Sequence, residues 1–125
     1  MIFLINLPFN VSAQNADIVV SDEWARPIII VGRPGGAYFN IENKGDVDDK
    51  LMSVSSSVSP RVEMHEHTMK DGVMKMSKVD FIEVSAGKTI TLEPGGYHIM
   101  LFETVKKYAP GDEIDLILNF EKAET

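Results

Sequence analysis

Residues 63–76, EMHEHTMKDGVMKM, hold four of the chain's seven methionines and two of its three histidines. The third histidine, His98, stands in PGGYHIML with Met100 two positions after it. Neutral imidazole nitrogen and neutral thioether sulfur, gathered in two short segments, are the donors a soft metal ion prefers. The chain has no cysteine, so it offers no thiolate nucleophile and no Cys-based zinc or iron–sulfur site. Thioether sulfur also cannot be lost to disulfide formation where conditions are oxidising.

Ligand softness narrows the ion. Zinc favours thiolates, imidazoles and carboxylates, so a His/Met set suits it poorly. Calcium and magnesium need converging oxygens, and GDVDD at 45–49 lacks the EF-hand spacing. Blue-copper electron transfer needs a Cys thiolate. Cu(I) remains: it is soft, makes no strong geometric demand and accepts mixed His/Met ligands. A site with no anionic ligand can release its ion to a stronger thiolate acceptor, which is the chemistry of a carrier.

The elements that must position these donors read as strands. GAYFNIEN puts Ala37, Phe39 and Ile41 on one face against Tyr38, Asn40 and Glu42. EIDLILNF does likewise with Ile114, Leu116, Leu118 and Phe120 against Asp115, Ile117 and Asn119. Shorter strands are expected at Ile18–Ala25, Lys50–Ser56, Arg61–His67, Val73–Lys78, Phe81–Val84, Thr89–Leu92 and His98–Phe102, punctuated by RPGG, NKGD, KDG, SAGK, EPGG and APGD turns. No stretch carries a helical stripe. Many short strands with Gly/Pro turns predict an all-β sandwich or small barrel.

On those strands Val62, Met64 and Glu66 share one face, and Glu63, His65 and His67 the other. Ile99 and Leu101 oppose His98 and Met100, and Met74 and Met76 share a face. Both histidine strands thus keep imidazole off the aliphatic side, as expected of ligands at an edge or end of the sandwich. Met64 is expected in the core and Met69 in a loop, while Met74 stays open between core and site. His65 and His67 share a face, so periodicity does not choose between them.

Composition bounds the rest. A chain of 125 residues forms one domain that can bury about two-thirds of its unfolded surface. Nineteen acidic against twelve basic residues give a net charge of −7, which argues against a nucleic-acid partner. No stretch is long enough for a transmembrane span. The start, MIFLINLPF followed by NVSAQNADI, reads as the tail of an export signal, with Val11 and Ala13 at the −3 and −1 positions and cleavage before Gln14. Residues 1–13 are then signal remnant and 14–125 the domain, the competing reading being a first β-strand. No G-x-S-x-G elbow supports a hydrolase, and no enzyme is expected. Trp24 is read as a core or corner anchor, Arg26 as structural, and Tyr97 as packing beside the site.

His65, ten residues, Met76, twenty-one residues, then His98-x-Met100 resembles the His-x10-Met-x21-His-x-Met signature of the periplasmic CuA copper chaperones, the PCuAC family. The resemblance extends through EWARP (23–27), GGAYFNIENKG (35–45), DDKL (48–51), LEPGGYHIMLF (92–102) and GDEIDLILNF (111–120). It implies a cupredoxin-like Greek-key β-sandwich in the periplasm that binds Cu(I) through His65, Met76, His98 and Met100. It also implies delivery of copper toward the CuA subunit of cytochrome c oxidase, alongside Sco-type proteins. The resemblance alone selects His65 over His67, through its spacing to Met76. Family members usually continue into one more strand beyond the FEK stretch, so that strand is expected to be missing or replaced by the N-terminal run. Two alternatives are a general periplasmic copper buffer and a non-metal interaction module whose Met-rich face is a contact patch. A carrier needs the four donors to converge, whereas a contact patch would spread them.

Overall fold

The computed structural model describes residues 2–6 and 18–123. Ten strands follow in order: β1 (Ile2–Asn6), β2 (Ile18–Ala25), β3 (Gly35–Asn43), β4 (Asp49–Ser55), β5 (Arg61–Lys70), β6 (Val73–Val79), β7 (Ile82–Val84), β8 (Thr89–Thr91), β9 (His98–Phe102) and β10 (Glu113–Phe120). They form two antiparallel sheets. One runs β1-β10-β4-β7, and the other β2-β3-β9-β5-β6 with β8 also paired to β3. No helix occurs among the described residues, in agreement with the expected cupredoxin-like β-sandwich. The expected cleavage site at Val11, Ala13 and Gln14 lies outside the described residues. Within the N-terminal run, Ile2–Asn6 pairs with Glu113–Ile117 at one edge of the smaller sheet.

Period-two alternation builds the core. Phe39, Ile41, Leu51, Ile82, Val84, Ile99, Leu101, Leu116 and Leu118 are all buried between the sheets. Burying a side chain of this size stabilises the fold by about 1.5–3 kcal/mol. Met64 joins the core as expected.

The β5–β6 hairpin is longer than its hydrophobic pattern predicts. The expected end at His67 is corrected to Lys70, and Met69 lies in a strand, not a loop. The reason is the turn: Asp71 and Gly72 both take positive φ, 52° and 78°. That two-residue geometry matches the strand twist and lets pairing run to Lys70↔Val73.

Candidate metal centre

Three neighbouring strands of the larger sheet, β9, β5 and β6, carry the His/Met donors on its outer face. Register sets who meets whom: His65 lies opposite His98, His67 opposite Met76, and Met69 opposite Met74. The inward residues between them, Met64, Ile99 and Leu101, anchor the strands in the core. The donors therefore sit on the face of the sheet, reaching its edge only at β6, whereas the alternation alone suggested an edge or end of the sandwich. Among the described residues β9 and β5 are hydrogen-bonded on both sides, and of the three donor strands β6 alone is an edge strand.

His98 is 3% exposed, and its Nδ1 lies 3.1 Å from the Gly96 carbonyl oxygen. A carbonyl only accepts, so Nδ1 carries the proton and Nε2 keeps its lone pair. That Nε2 faces the Met76 sulfur at 3.1 Å. Two electron-pair donors thus point at the same space. Burial holds the His98 pKa below the ordinary histidine value, against the Gly96 hydrogen bond and with help from the nearby His67 and His65. The ring is therefore neutral, as a ligand must be.

His65 is arranged the other way round. Its Nε2 donates to the Glu63 carboxylate at 2.9 Å, leaving Nδ1 buried without a hydrogen-bond partner. Accepting that bond lowers the Glu63 pKa, with Arg61 and Lys78 adding to the effect. A carboxylate that fixes the tautomer and orientation of an imidazole is a common support for a metal-ligating histidine. The His65 ring lies 5.8 Å from that of His98 and 5.9 Å from that of Phe102, centre to centre.

Met100 sits one pleat along β9 from His98, half-buried, with Gly36 and Glu63 opposite it on the two flanking strands. Gly36 matters here because a Cβ at that position would come within 2.8 Å of the Tyr38 hydroxyl. Its bare backbone lets Tyr38 lie over the sheet beside the donors, 6.4 Å from the His98 ring. Trp24 stacks on Tyr38 at 4.3 Å and Arg26 Nε donates to its hydroxyl, so both serve as a wall on this face. Trp24 is a partly exposed buttress and not a core residue. Tyr97, expected beside the site, packs instead against the edge of the core.

Of the four sequence-selected residues, the structure brings Met76 and His98 into direct contact, sets His65 against His98 and places Met100 on the same face. His67, which periodicity left level with His65, also joins the cluster: its ring stacks on His98 at 5.0 Å, and its Nδ1 is buried without a partner. The supporting groups that motif reasoning passed over are Glu63, Tyr38 and the Gly96 carbonyl. Alternation already put Glu63 on the His65 face two residues away, whereas nothing in the sequence marks Gly96 as an acceptor. Among the described residues no group of three or more His, Cys, Asp or Glu is placed to hold a metal ion without other donors.

Residues 18–125 match the family described as putative lipoprotein LpqE-like. An uncharacterised protein of Rickettsia prowazekii is 32% identical over 102 residues, covering 78% of this chain and 56% of its own. A putative lipoprotein of Leifsonia xyli is 31% identical over 91 residues, covering 71% of this chain and 54% of its own. The chain thus spans little more than half the length of these curated relatives. Among solved structures, the copper-bound PCuAC domain from PmoF2 superposes with a TM-score of 0.75 at 24% identity, over 90% of this chain and 88% of that one. The two share a fold, as the His-x10-Met-x21-His-x-Met resemblance led one to expect. On its sequence, the chain belongs to the LpqE-like family.

Proposed function

We propose that this chain is an exported, periplasmic copper carrier that binds Cu(I) through His65, Met76, His98 and Met100 and passes it toward the CuA subunit of cytochrome c oxidase. One observation carries the reading: the deprotonated Nε2 of His98 and the sulfur of Met76, 22 residues apart in sequence, converge at 3.1 Å on the outer face of the sheet. The buried, unpartnered Nδ1 of His65 adds a third donor with no other evident use. An orphaned buried nitrogen costs about 1–3 kcal/mol, and a bound ion would recover that cost.

The chain's own residues divide the work. The Gly96 carbonyl and the Glu63 carboxylate fix the two imidazole tautomers. Phe102 and Tyr38 flank the rings and limit water. Met76 is 48% exposed, so its sulfur is the first donor an approaching acceptor can displace. The histidines hold the ion from beneath until thiolates or imidazoles of the acceptor replace them. The ion is cargo, all four ligands are neutral, and no proton need move at neutral pH. The copper-bound relative and the exported character in the family's description support this reading; the acceptor follows from the PCuAC resemblance.

The test is anaerobic Cu(I) titration with chelator competition, alongside copper X-ray absorption. One tightly bound Cu(I) per chain with Cu–S scattering, weaker and differently coordinated Cu(II), and negligible zinc affinity are expected. Zinc held as tightly as Cu(I) would sink the assignment. Transfer to an isolated CuA domain separates a carrier from a buffer, which would retain its copper.

A further inference from the structure

The outer face carries one more donor pair than that site uses. Met69 and Met74 are direct cross-strand partners near the tip of the β5–β6 hairpin, next in line after the His67–Met76 pair. Cross-strand partners stand about 5 Å apart at Cβ, and the next pair on the same face is about 7 Å along the strand. The two side chains are 64% and 55% exposed. Neither contributes to the core, although both lie in regular strand. Alternation puts Lys70 and Lys75 on the opposite face, and the hairpin ammonium that shares the sulfurs' side, Lys78, lies two same-face pairs away, opposite His65. His67, between this pair and His98, has its Nδ1 buried without a hydrogen-bond partner.

We infer that Met69 and Met74, with His67, form a second and weaker subsite for a soft monovalent cation, Cu(I) or its redox-inert mimic Ag(I). It is the port through which the ion enters the buried site. The inference rests on the carrier reading above. His65 and His98 are 8% and 3% exposed, so a hydrated ion cannot reach them in one encounter. Two exposed thioethers capture it, His67 accepts it, and Met76 and His98 take it inward. Each move exchanges one neutral donor for another, the ion stays monovalent, and no proton is released. Two sulfurs and one shared nitrogen hold the ion less firmly than the inner four donors, as a port requires.

The experiment is Ag(I) titration of protein labelled with ¹³C at the methionine methyls, run on the wild type and on a Met69→Leu/Met74→Leu variant. Leucine keeps the apolar area and removes only sulfur, so a patch that merely contacts a partner would behave alike in both. The first equivalent should shift the Met76 and Met100 methyls. The second should shift Met69 and Met74, with affinity at least about tenfold weaker. The double variant should lose the second equivalent and take up Cu(I) from a weak chelator several-fold more slowly, with first-equivalent affinity unchanged. Met69 and Met74 methyls that stay still through excess Ag(I), or that move together with the first equivalent, overturn the port while leaving the inner site standing. A second equivalent retained by the double variant does the same. Silence of all four methyls overturns the inner site and the port together.

Discussion

β9 shows two kinds of surface in five residues. Ile99 and Leu101 face inward and are essentially unexposed, while His98, Met100 and Phe102 face outward among the donors and rings of β5 and β6. β5 repeats the division, with Met64 inward and Glu63, His65 and His67 outward. The inner face is held by apolar contact and tolerates little change in volume. The outer face is held by register and by a few directed bonds, and its donors stay incompletely satisfied. The same strands therefore serve stability on one side and ligand exchange on the other, and substitutions should separate the two.

The largest effect is expected on the inner face. Ile99→Ala removes a fully buried side chain and should cost about 2–5 kcal/mol of unfolding free energy, measured by chemical denaturation of the apo protein. A cost below about 1 kcal/mol would mean that the strand carrying His98 is not anchored by the core. On the outer face, Met76→Leu keeps volume and hydrophobicity at a half-exposed position. Apo stability should stay within about ±0.5 kcal/mol. Cu(I) affinity by chelator competition should fall at least about 100-fold, near 2.7 kcal/mol. Unchanged affinity would break the division of labour between the faces.

The inner side also holds a carboxyl group without a partner, and it titrates. A bulge between Ser21 and Trp24, with Asp22 at φ 53°, turns the Glu23 carboxyl into the interior, where neither oxygen has a hydrogen-bond partner. Burial raises its pKa from 4.5 to about 7, opposed by the proximity of its own backbone amide and reinforced by Asp22. The folded state then binds this proton more tightly than the unfolded chain. Its contribution to stability is complete below pH 4.5 and is lost as pH rises through about 7. In Glu23→Gln that loss disappears. Measured from pH 4.5 to 8, stability should therefore shift in the variant's favour by up to about 3 kcal/mol. Parallel stability curves for the two proteins would show that Glu23 ionises freely in the fold.

The inner face was legible in the sequence because alternation is local. Phe39, Ile41, Leu116 and Leu118 were assigned from their own strands, and all are buried. The outer face was legible only in part. That His98 and Met100 share a side follows from their spacing, but that His98 meets Met76 depends on β5 pairing with both β9 and β6. Such pairing is fixed by turns and core packing far from either residue. The Asp71–Gly72 turn shows the limit: KDG was visible as a turn, yet its two-residue geometry, which brings Met69 and Met74 into register, was not. The Glu23 bulge was likewise hidden, because an extra residue in a strand leaves the hydrophobic pattern looking like a shorter one.

The smallest effect expected is at His67, where alternation gave no choice between neighbours. His65 offers a buried lone pair fixed by Glu63, so His65→Ala should remove a ligand and lower Cu(I) affinity by well over tenfold. His67 stacks on His98 and lies opposite Met76, so in the inner site it acts by holding the His98 ring in place. Stacked ring pairs contribute about 0.5–1.5 kcal/mol. His67→Ala should therefore cost the first equivalent only about fivefold, near 1 kcal/mol, with Cu–S scattering retained. His67→Phe restores a ring without a nitrogen and should recover most of that loss, which a lost ligand could not do. Equal losses for His65→Ala and His67→Ala would point to a shared or alternating ligand. A larger loss at His67, unrepaired by phenylalanine, would move the ligand assignment two residues along β5.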